Sequence, residues 1–379
     1  MALGLTLGQA YRLSGESRYS GRAAKLIDNW SSTNPYLESL NWVNTLEAAL
    51  RAVSLLQTAA LCRESEHFHE TSFRGRLAGL LFLHGHFIRA HLSRGSTALN
   101  HLAGEAAGLT VLGYCLPALP GSSGWRRAGA AKLEESLMRL ILEDGGPLEG
   151  SLHYLAFTAC LAATAWQLAG PFGFSLSVQA RERLKNAYRF LCAATDNGRA
   201  VSEFGDSDCA AAAGPPAGSN PERYSRALNM LRLINEEEHP AHDYRPDPES
   251  ACLFGAPALC TGTAAVNENG LCLERFDKSG HYILRAPGFF LRFECGHWGA
   301  SPCHAHAHAD RLSFSLFLGG LPFLIDPGTG AYLADSRLRE HLRSTRAHNT
   351  LCLDGFSQAQ PVGCFFQPRP VESTLADAS

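Results

Sequence analysis

The sequence predicts a multidomain α+β protein in which a helical domain precedes an antiparallel β domain. Two observations support this fold class. Across residues 3–234, apolar residues recur at spacings of three and four, which is the period of an amphipathic helix. Further along, short apolar and aromatic runs alternate with the period of two that is typical of a β-strand. We therefore predict a helical domain at 1–235, a linker at 236–262 and a β domain at 263–379.

The helical domain consists of segments of similar length. Loops rich in glycine, proline or serine separate them, and such short connections make consecutive helices antiparallel neighbours. We find no fixed-period sequence repeat, which excludes a TPR or ankyrin array. The charged, proline-rich stretch EEEHPAHDYRPDPES follows the last segment and is typical of a domain boundary. The clearest helical spacing occurs at 40–62, 73–90, 100–115, 128–142, 152–168 and 177–194.

The β domain is predicted to be antiparallel and partial. Short β-branched and aromatic runs, broken by glycine, proline or aspartate, are typical of strands joined by turns. Only about five such runs fit before the polar tail ESTLADAS, which is fewer than a self-contained sandwich has. The predicted strands are 281–285, 289–294, 312–318, 322–325 and 350–353.

Composition excludes several classes of function. The chain of 379 residues has 33 Lys and Arg against 36 Asp and Glu, so no overall positive field favours nucleic acid or an acidic membrane. The 12 cysteines form no Cys-x-x-Cys pair, which favours buried thiols, with a few disulfides as the alternative. No segment reaches the roughly 18 uninterrupted apolar residues of a membrane span, and no signal peptide is visible.

The strongest local signal is the segment SPCHAHAHADRLSF. His304, His306 and His308 alternate, so an extended strand would place all three on one face, together with Asp310. A single histidine is commonly a satisfied core or surface residue, but three in register have no apolar packing role. The pattern therefore indicates a metal or catalytic site.

Two polar groups follow within forty residues of the histidines. Asp326 ends the apolar run in LIDPG, and His348 lies in RSTRAHN just before another apolar run. Two histidines and one aspartate form a suitable zinc set with an open or water-filled fourth position. For Asp326 the alternative is an ordinary turn carboxylate before Pro-Gly.

The helical domain contains two notable polar segments. In the first, Asn100 and His101 stand at a predicted helix start, and Glu105 follows one turn after His101. In the second, a glycine-rich loop leads into a helix whose first turn presents Glu149 and Tyr154. Helix capping would explain the asparagine and the glutamates without any function, so the residues alone leave both interpretations open.

Taken together, these motifs resemble a known family. HAHAD, IDPGT and RSTRAHNTLCLDG resemble the heparinase II/III-like polysaccharide lyases, a group that includes heparin, heparan sulfate and alginate lyases. NWVNTLEAALRAVSLL, LNHLAGEAAGL, DGGPLEGSLHY and FGDSD resemble the helical domain of the same family, in the same order. The resemblance covers residues 3–360. It implies an incomplete (α/α) toroid followed by a partial antiparallel β-sandwich, with the chain shorter than full members at both ends.

The resemblance implies that the protein cleaves a uronic-acid glycan by β-elimination. Tyr154 then matches the catalytic tyrosine, acting as base or acid at the sugar ring, and His306 matches its partner histidine. Asn100 and His101 match the pair that hydrogen-bonds the uronate carboxyl group. Since these residues come from both domains, we expect His306 to face Tyr154 across a cleft about one sugar ring wide.

The resemblance also implies a cofactor, a partner and a location. His308, Asp326 and His348 match the positions of a structural zinc ion, which would fix the loop that carries His306. The expected partner is an acidic polysaccharide or oligosaccharide, and the expected location is the cell envelope or periplasm.

We expect four further residues to contact the substrate, namely Arg51, Glu105, Glu149 and Asp206. Arg51 is the cation expected to line the cleft, although an arginine on a helix is more often a solvated surface residue. Glu149 and Asp206 also leave open a glycoside hydrolase on an (α/α) toroid, which needs a pair of carboxyl groups. A non-catalytic glycan-binding protein of the cell envelope is the alternative from a different class.

Overall fold

The predicted fold class is confirmed, since a helix-rich N-terminal region is followed by a five-stranded antiparallel sheet. Most of the predicted linker, 236–262, lies outside the described residues, and its described part contains one short helix. The computed structural model describes residues 2–196, 200–201, 203–208, 220–235, 247–255, 270–367, 373 and 376.

Several helix starts follow directly from local sequence. Asn44, Ser151 and Ser177 each accept a hydrogen bond from the backbone N–H three residues further on, which satisfies a donor that has no partner within the helix. The helices before the large sheet are α1 Ala2–Ser14, α2 Ser17–Thr33, α3 Thr45–Leu61, α4 Glu66–His69, α5 Thr71–Ala90, α6 Asn100–Cys115, α7 Ser122–Leu140, α8 Leu152–Ala169, α9 Val178–Ala194, α10 Asn220–Asn235 and α11 Pro248–Phe254.

Helices α6 and α8 form the inside of the helical domain. Both are buried along nearly their whole length, with α3, α7 and α8 packed against α6, and α9 and α10 packed against α8. By length and composition alone, Leu152–Phe172 is apolar enough to cross a membrane, and 67% of its most apolar stretch is buried inside the protein. A buried core helix passes the same test, so the apolar character of α8 is accounted for by its central position.

The sheet is a simple antiparallel meander. Its five strands pair in chain order, and a separate two-stranded ribbon, β1 Thr195–Asp196 with β2 Ala200–Val201, follows α9. One further helix, α12 Ser336–Leu342, comes after the last strand. The strands of the large sheet are β3 Cys272–Phe276, β4 His281–Ala286, β5 Phe289–Glu294, β6 Phe314–Leu318 and β7 Leu321–Leu324.

Four of the five predicted strands are confirmed, with 289–294 matching at both ends. Strand β3 was not predicted from the sequence, and the strand predicted at 350–353 is wrong. Side-chain bonds explain that error: the Asn349 amide donates to the carbonyl oxygens of Phe314 and Ile325, and the Thr350 hydroxyl donates to that of Arg311. This segment is therefore held against the sheet by side chains instead of a backbone ladder.

The two faces of the sheet have different surroundings. The Arg292 guanidinium lies 4.5 Å from the centre of the Phe204 ring, and the Phe276 and Phe190 rings are 4.8 Å apart, so one face continues the helical core. The opposite face carries a row of leucines, one from each strand and in register, whose side chains are only partly buried. The row consists of Leu273, Leu284, Leu291, Leu316 and Leu324.

A buried group of charges lies on the face toward the helices. Glu294 accepts from Arg292 at 3.3 Å and also pairs with Arg311, which in turn pairs with Asp310 at 3.1 Å. Burial by itself would raise the pKa of Glu294, but the charges of Arg311, His281 and Arg292 outweigh it and hold the pKa below its usual value. Glu294 therefore stays ionised in the folded protein.

Candidate active site and metal centre

The candidate site lies where the first turn of α8 meets the β domain. Ser151 caps this helix, because its hydroxyl accepts from the backbone N–H of Tyr154 at 3.2 Å and donates to the carbonyl of Asp206 at 2.6 Å. Glycines bring the backbones together here. A Cβ atom on Gly205 would lie 2.0 Å from the carbonyl oxygen of Gly150 and 2.7 Å from that of His306. The position of Tyr154 is thus fixed by a cap and a glycine contact between the domains.

Tyr154 lies within a group of aromatic and acidic side chains. Its hydroxyl donates to Asp208 at 3.1 Å and lies 3.1 Å from the hydroxyl of Tyr332. Burial, together with the neighbouring Tyr332 and Asp208, raises the pKa of Tyr154 well above its usual value. The phenol is therefore protonated at neutral pH.

His306 packs directly against the tyrosine. The ring centroids of Tyr154 and His306 are 3.9 Å apart with an angle of 33° between the planes. The prediction that the two rings face each other is confirmed, but the predicted separation of one sugar ring is wrong, because no sugar fits between rings in contact. The two rings therefore lie side by side at the junction of the domains.

The hydrogen bonds of His306 define its tautomer. Its Nδ1 lies 3.1 Å from a carboxylate oxygen of Asp206, and a carboxylate only accepts, so Nδ1 carries the proton. Its Nε2 lies 3.4 Å from the amide nitrogen of Asn100 and 3.8 Å from Glu149. The lone pair of Nε2 is therefore turned away from Asp206, toward the Asn100 side of the cluster.

Asn100 and His101, at the start of α6, both belong to this cluster. The Asn100 amide donates to Glu149 at 2.8 Å, and burial raises the pKa of the Glu149 carboxyl group. Burial, with His306 nearby, lowers the pKa of His101. The structure thus brings together the four residues predicted to be catalytic, two from α6, one from α8 and one from the β domain.

Asp206 is fully buried, and the predicted substrate contact at this residue is corrected. Both carboxylate oxygens bond to Arg339, while the two oxygens separately receive His306 and His308. Burial would raise the pKa of Asp206, but these bonds hold it well below its usual value. The ionised Asp206 carboxylate is enclosed by three partners. It therefore holds the site residues in place instead of binding a sugar.

The other three predicted substrate contacts are also buried. The Arg51 guanidinium stacks on Trp30 at 4.5 Å and bonds to His84, which are partners within the helical domain. Glu105 accepts two hydrogen bonds of 2.7 Å from Ser93, which fixes the loop before α6. Glu149, beneath Asn100, is 3% exposed. The partners found for these groups explain them as structural residues of the helical domain.

Sequence reasoning missed three residues that complete the site. Asp208 accepts a hydrogen bond from the Tyr154 hydroxyl and lies 3.0 Å from a ring nitrogen of His153. It is the second aspartate of FGDSD, to which sequence reasoning assigned no role. Tyr332 lies in the connection between β7 and α12, where no local pattern marks it. Arg339 lies on α12, and Arg343 follows one turn later, directly after the helix; this four-residue spacing was the available sequence signal, and both arginines are buried.

The segment of alternating histidines is not a strand. Residues 301–310 form turns and loops, and His304 has a φ of 48°. The predicted shared face is therefore wrong: His304 bonds to the carbonyl of Trp298 at 2.6 Å, while Asp310 turns to Arg311. Only His306 and His308 point together, and both meet Asp206.

The predicted metal ligands do lie together. One ligand atom from each of His308, Asp326 and His348 falls within 4.8 Å of the others, and all three side chains are almost fully buried. His308 Nδ1 and His348 Nε2 are buried without a hydrogen-bond partner among the described residues. Two imidazoles and a carboxylate suit a zinc ion, and orphaned ring nitrogens are what an ion would satisfy. The residues therefore fit a metal centre.

Fold and site together define a class: a two-domain protein in which a helical domain meets an antiparallel sheet, with tyrosine, histidine and asparagine converging at the junction. Residues 1–213 match the description Heparinase II/III N-terminus, and residues 268–379 match Heparinase II/III-like, C-terminal. The chain belongs to the heparinase II/III family.

Individual relatives agree with this assignment. A heparin-sulfate lyase of Bacteroides thetaiotaomicron is 23% identical over 371 residues, which cover 91% of this chain and 49% of the relative. The crystal structure of heparinase III superposes with a TM-score of 0.66 at 20% identity, covering 95% of this chain and 55% of that one. A heparan sulfate lyase from Pedobacter heparinus gives 0.59 at 19%, covering 93% and 52%. The structures share the fold, and the chain spans about half the length of these relatives.

Proposed function

We propose that the protein is a polysaccharide lyase that cleaves an acidic, uronate-containing glycan by β-elimination. This reaction needs a base to remove the C5 proton, a group to stabilise charge on the uronate carboxylate, and an acid for the O4 leaving group. The carrying observation is the contact between Tyr154 and His306, which places a protonated phenol beside an imidazole whose Nε2 is turned away from Asp206.

In the proposed reaction His306 is the base and Tyr154 is the acid. Nε2 of His306 takes the C5 proton, the electron pair forms the C4=C5 double bond, and the C4–O4 bond breaks. The Tyr154 hydroxyl gives its proton to O4, while Tyr332 and solvent supply a route for its return. Asn100 and His101 stabilise the uronate carboxylate as negative charge builds on it. Because both proton-transfer groups lie side by side, the elimination proceeds on one side of the sugar.

The role of the metal in this proposal is structural. His308, Asp326 and His348 would hold a zinc ion, which supplies a rigid cross-link between the loop of His306 and the connections after β7 and α12. Every proton transfer in the proposed mechanism is made by side chains of the chain itself.

The alternatives have less support from the geometry. A glycoside hydrolase needs a carboxylic acid and a carboxylate on either side of the glycosidic bond, whereas Asp206 is enclosed by Arg339, His306 and His308. A non-catalytic glycan-binding protein would not need a histidine tautomer fixed next to a buried phenol.

Ultraviolet absorbance of the unsaturated product tests the proposal. The purified chain is incubated with heparin, heparan sulfate, alginate and another polyuronate, the first two being chosen from the names of the relatives. Elimination generates new reducing ends together with absorbance from the C4=C5 bond. New reducing ends without absorbance would indicate hydrolysis, and binding without either product would indicate the non-catalytic alternative.

A further inference from the structure

The α12 helix places one arginine beneath both proton-transfer residues. Arg339 is 1% exposed, and two of its guanidinium nitrogens bond to the two carboxylate oxygens of Asp206. The same guanidinium lies 4.8 Å from the centre of the Tyr332 ring. One side chain therefore contacts a partner of His306 and also a partner of Tyr154.

The contact through Asp206 orients both histidine rings. Oδ2 of Asp206 accepts from His306 Nδ1 at 3.1 Å, and Oδ1 accepts from His308 Nε2 at 3.0 Å. The backbone adds a reciprocal bond, because the N–H of Asp206 donates to the carbonyl of His306 at 2.9 Å. With Asp206 fixed in this way, the Nδ1 edge of His306 faces Asp206 and its Nε2 edge faces Asn100.

The contact through Tyr332 positions the phenol. Tyr332 contacts both the Arg339 guanidinium and the Phe365 ring, whose centroid is 5.3 Å from its own. Its hydroxyl is 3.1 Å from that of Tyr154. A displacement of Arg339 would therefore alter the hydrogen bond at the proposed acid as well as the tautomer at the proposed base.

We propose that Arg339 is a positioning residue for elimination, acting on His306 through Asp206 and on Tyr154 through Tyr332. This inference rests on the proposed function for its kinetic consequence, but its effect on the histidine protons is independent of activity. Residues that orient a reacting group without touching the substrate typically contribute about 10–100-fold in activity. Loss of Arg339 should reduce turnover and leave substrate binding nearly unchanged, because Arg339 touches no substrate.

Arg343 supplies a matched control. It lies one turn further along the chain, is equally buried, and donates hydrogen bonds to the carbonyls of Gly363 and Cys364. Arg339→Ala is expected to lower kcat by roughly 10–100-fold with KM changed less than about threefold. Millimolar methylguanidinium should restore part of that loss. Arg339→Lys keeps the charge but not the two-pronged contact, so its kcat should lie between those of the wild type and Arg339→Ala. Arg343→Ala should keep the wild-type kcat.

A spectroscopic measurement separates this inference from the proposed function. In ¹⁵N-histidine-labelled protein, wild type should show a protonated Nδ1 for His306 and a protonated Nε2 for His308, with both protons protected from exchange. Arg339→Lys, the variant least disturbed in folding, should lose this protection, whereas Arg343→Ala should not.

A folded Arg339 variant with wild-type kcat and unchanged histidine signals would overturn the inference. Equal losses in the Arg343 variant would do the same. If wild type eliminates no polyuronate, the proposed function fails and the histidine signals alone decide the role of Arg339.

Discussion

At the scale of single residues, the site depends on how the rings of Tyr154 and His306 hold their protons. Tyr154 keeps its proton because burial opposes a phenolate, while His306 is held by Asp206 with its proton on Nδ1. The histidine pattern marked His306 and the family resemblance marked Tyr154, but the close contact between them could not be predicted, since it depends on close approach of backbones from distant parts of the chain.

Replacing Tyr154 with phenylalanine removes only the hydroxyl group. The ring contact with His306 should survive, so substrate binding should be preserved while kcat falls by about a hundredfold or more. Initial rates of product absorbance, fitted for kcat and KM separately, measure this effect. Tyr282→Phe is a suitable control, because the Tyr282 hydroxyl bonds to Asp277 in the turn between β3 and β4. Full elimination activity in the Tyr154 variant would remove this residue from the mechanism.

At the scale of elements, the metal ligands join three segments that have no shared regular structure. His308 lies in a loop, Asp326 follows β7 and His348 follows a short 3-10 turn. The grouping of His308, Asp326 and His348 was predicted from these residues and the resemblance and is confirmed, but the strand assumed for His304–Asp310 is wrong. Alternation of histidines matched a strand period, while Pro302 and the positive φ of His304 favour turns instead.

Removal of metal should loosen these segments. Extensive dialysis against a chelator is expected to lower the melting temperature by roughly 5 °C or more, and zinc should restore it, because a bound ion stabilises only the folded state. His348→Ala should already melt lower and should no longer respond to the chelator. His341→Ala, which changes an exposed histidine on α12, should respond like wild type. An unchanged melting curve after verified metal removal would contradict a structural ion.

The buried charges of the sheet predict a dependence of stability on pH. The pKa of Glu294 is lower in the folded than in the unfolded chain, so its ionised form favours folding above the usual carboxyl range. This contribution is lost as pH falls through about 4 toward the lowered pKa. Near neutral pH, Glu294→Gln should cost about 3–5 kcal/mol, because Arg292 loses its carboxylate partner and Arg311 loses one of its two. Urea unfolding at several pH values should show the difference between the two proteins shrinking in acid. A difference independent of pH would exclude this assignment.

At the scale of the whole molecule, the two domains are joined by backbone contacts that leave no space for side chains. Gly205 has a φ of 64°, and a Cβ atom there would collide with carbonyl oxygens of Gly150 and His306. The order of the domains and most strands were predictable from sequence period. The contact between them was not, because a glycine inside FGDSD gives no indication of what it approaches.

Gly205→Ala should therefore disturb both stability and activity. Strain at positive φ and collision across the interface together should cost about 2–5 kcal/mol, measured by chemical denaturation. Gly173→Ala is the matched control: its φ is 92°, but no atom lies within 4 Å of the added Cβ, so only the backbone strain remains. Equal costs for the two variants would show that the domain contact does not constrain position 205.

The leucine row, on the face of the sheet opposite the helical core, affects the solubility of the protein. The five aligned leucines form an apolar strip on the surface, in which Leu273 is 42% exposed. The net charge of -3 supplies little electrostatic repulsion between molecules. Salts such as sulfate, which strengthen apolar burial, should lower the solubility of the native protein steeply. Light scattering across a sulfate series would reveal this, and polar substitutions at Leu291 and Leu316 should flatten the response. Dilute, low-salt buffers are accordingly the conditions in which the folded chain stays dispersed.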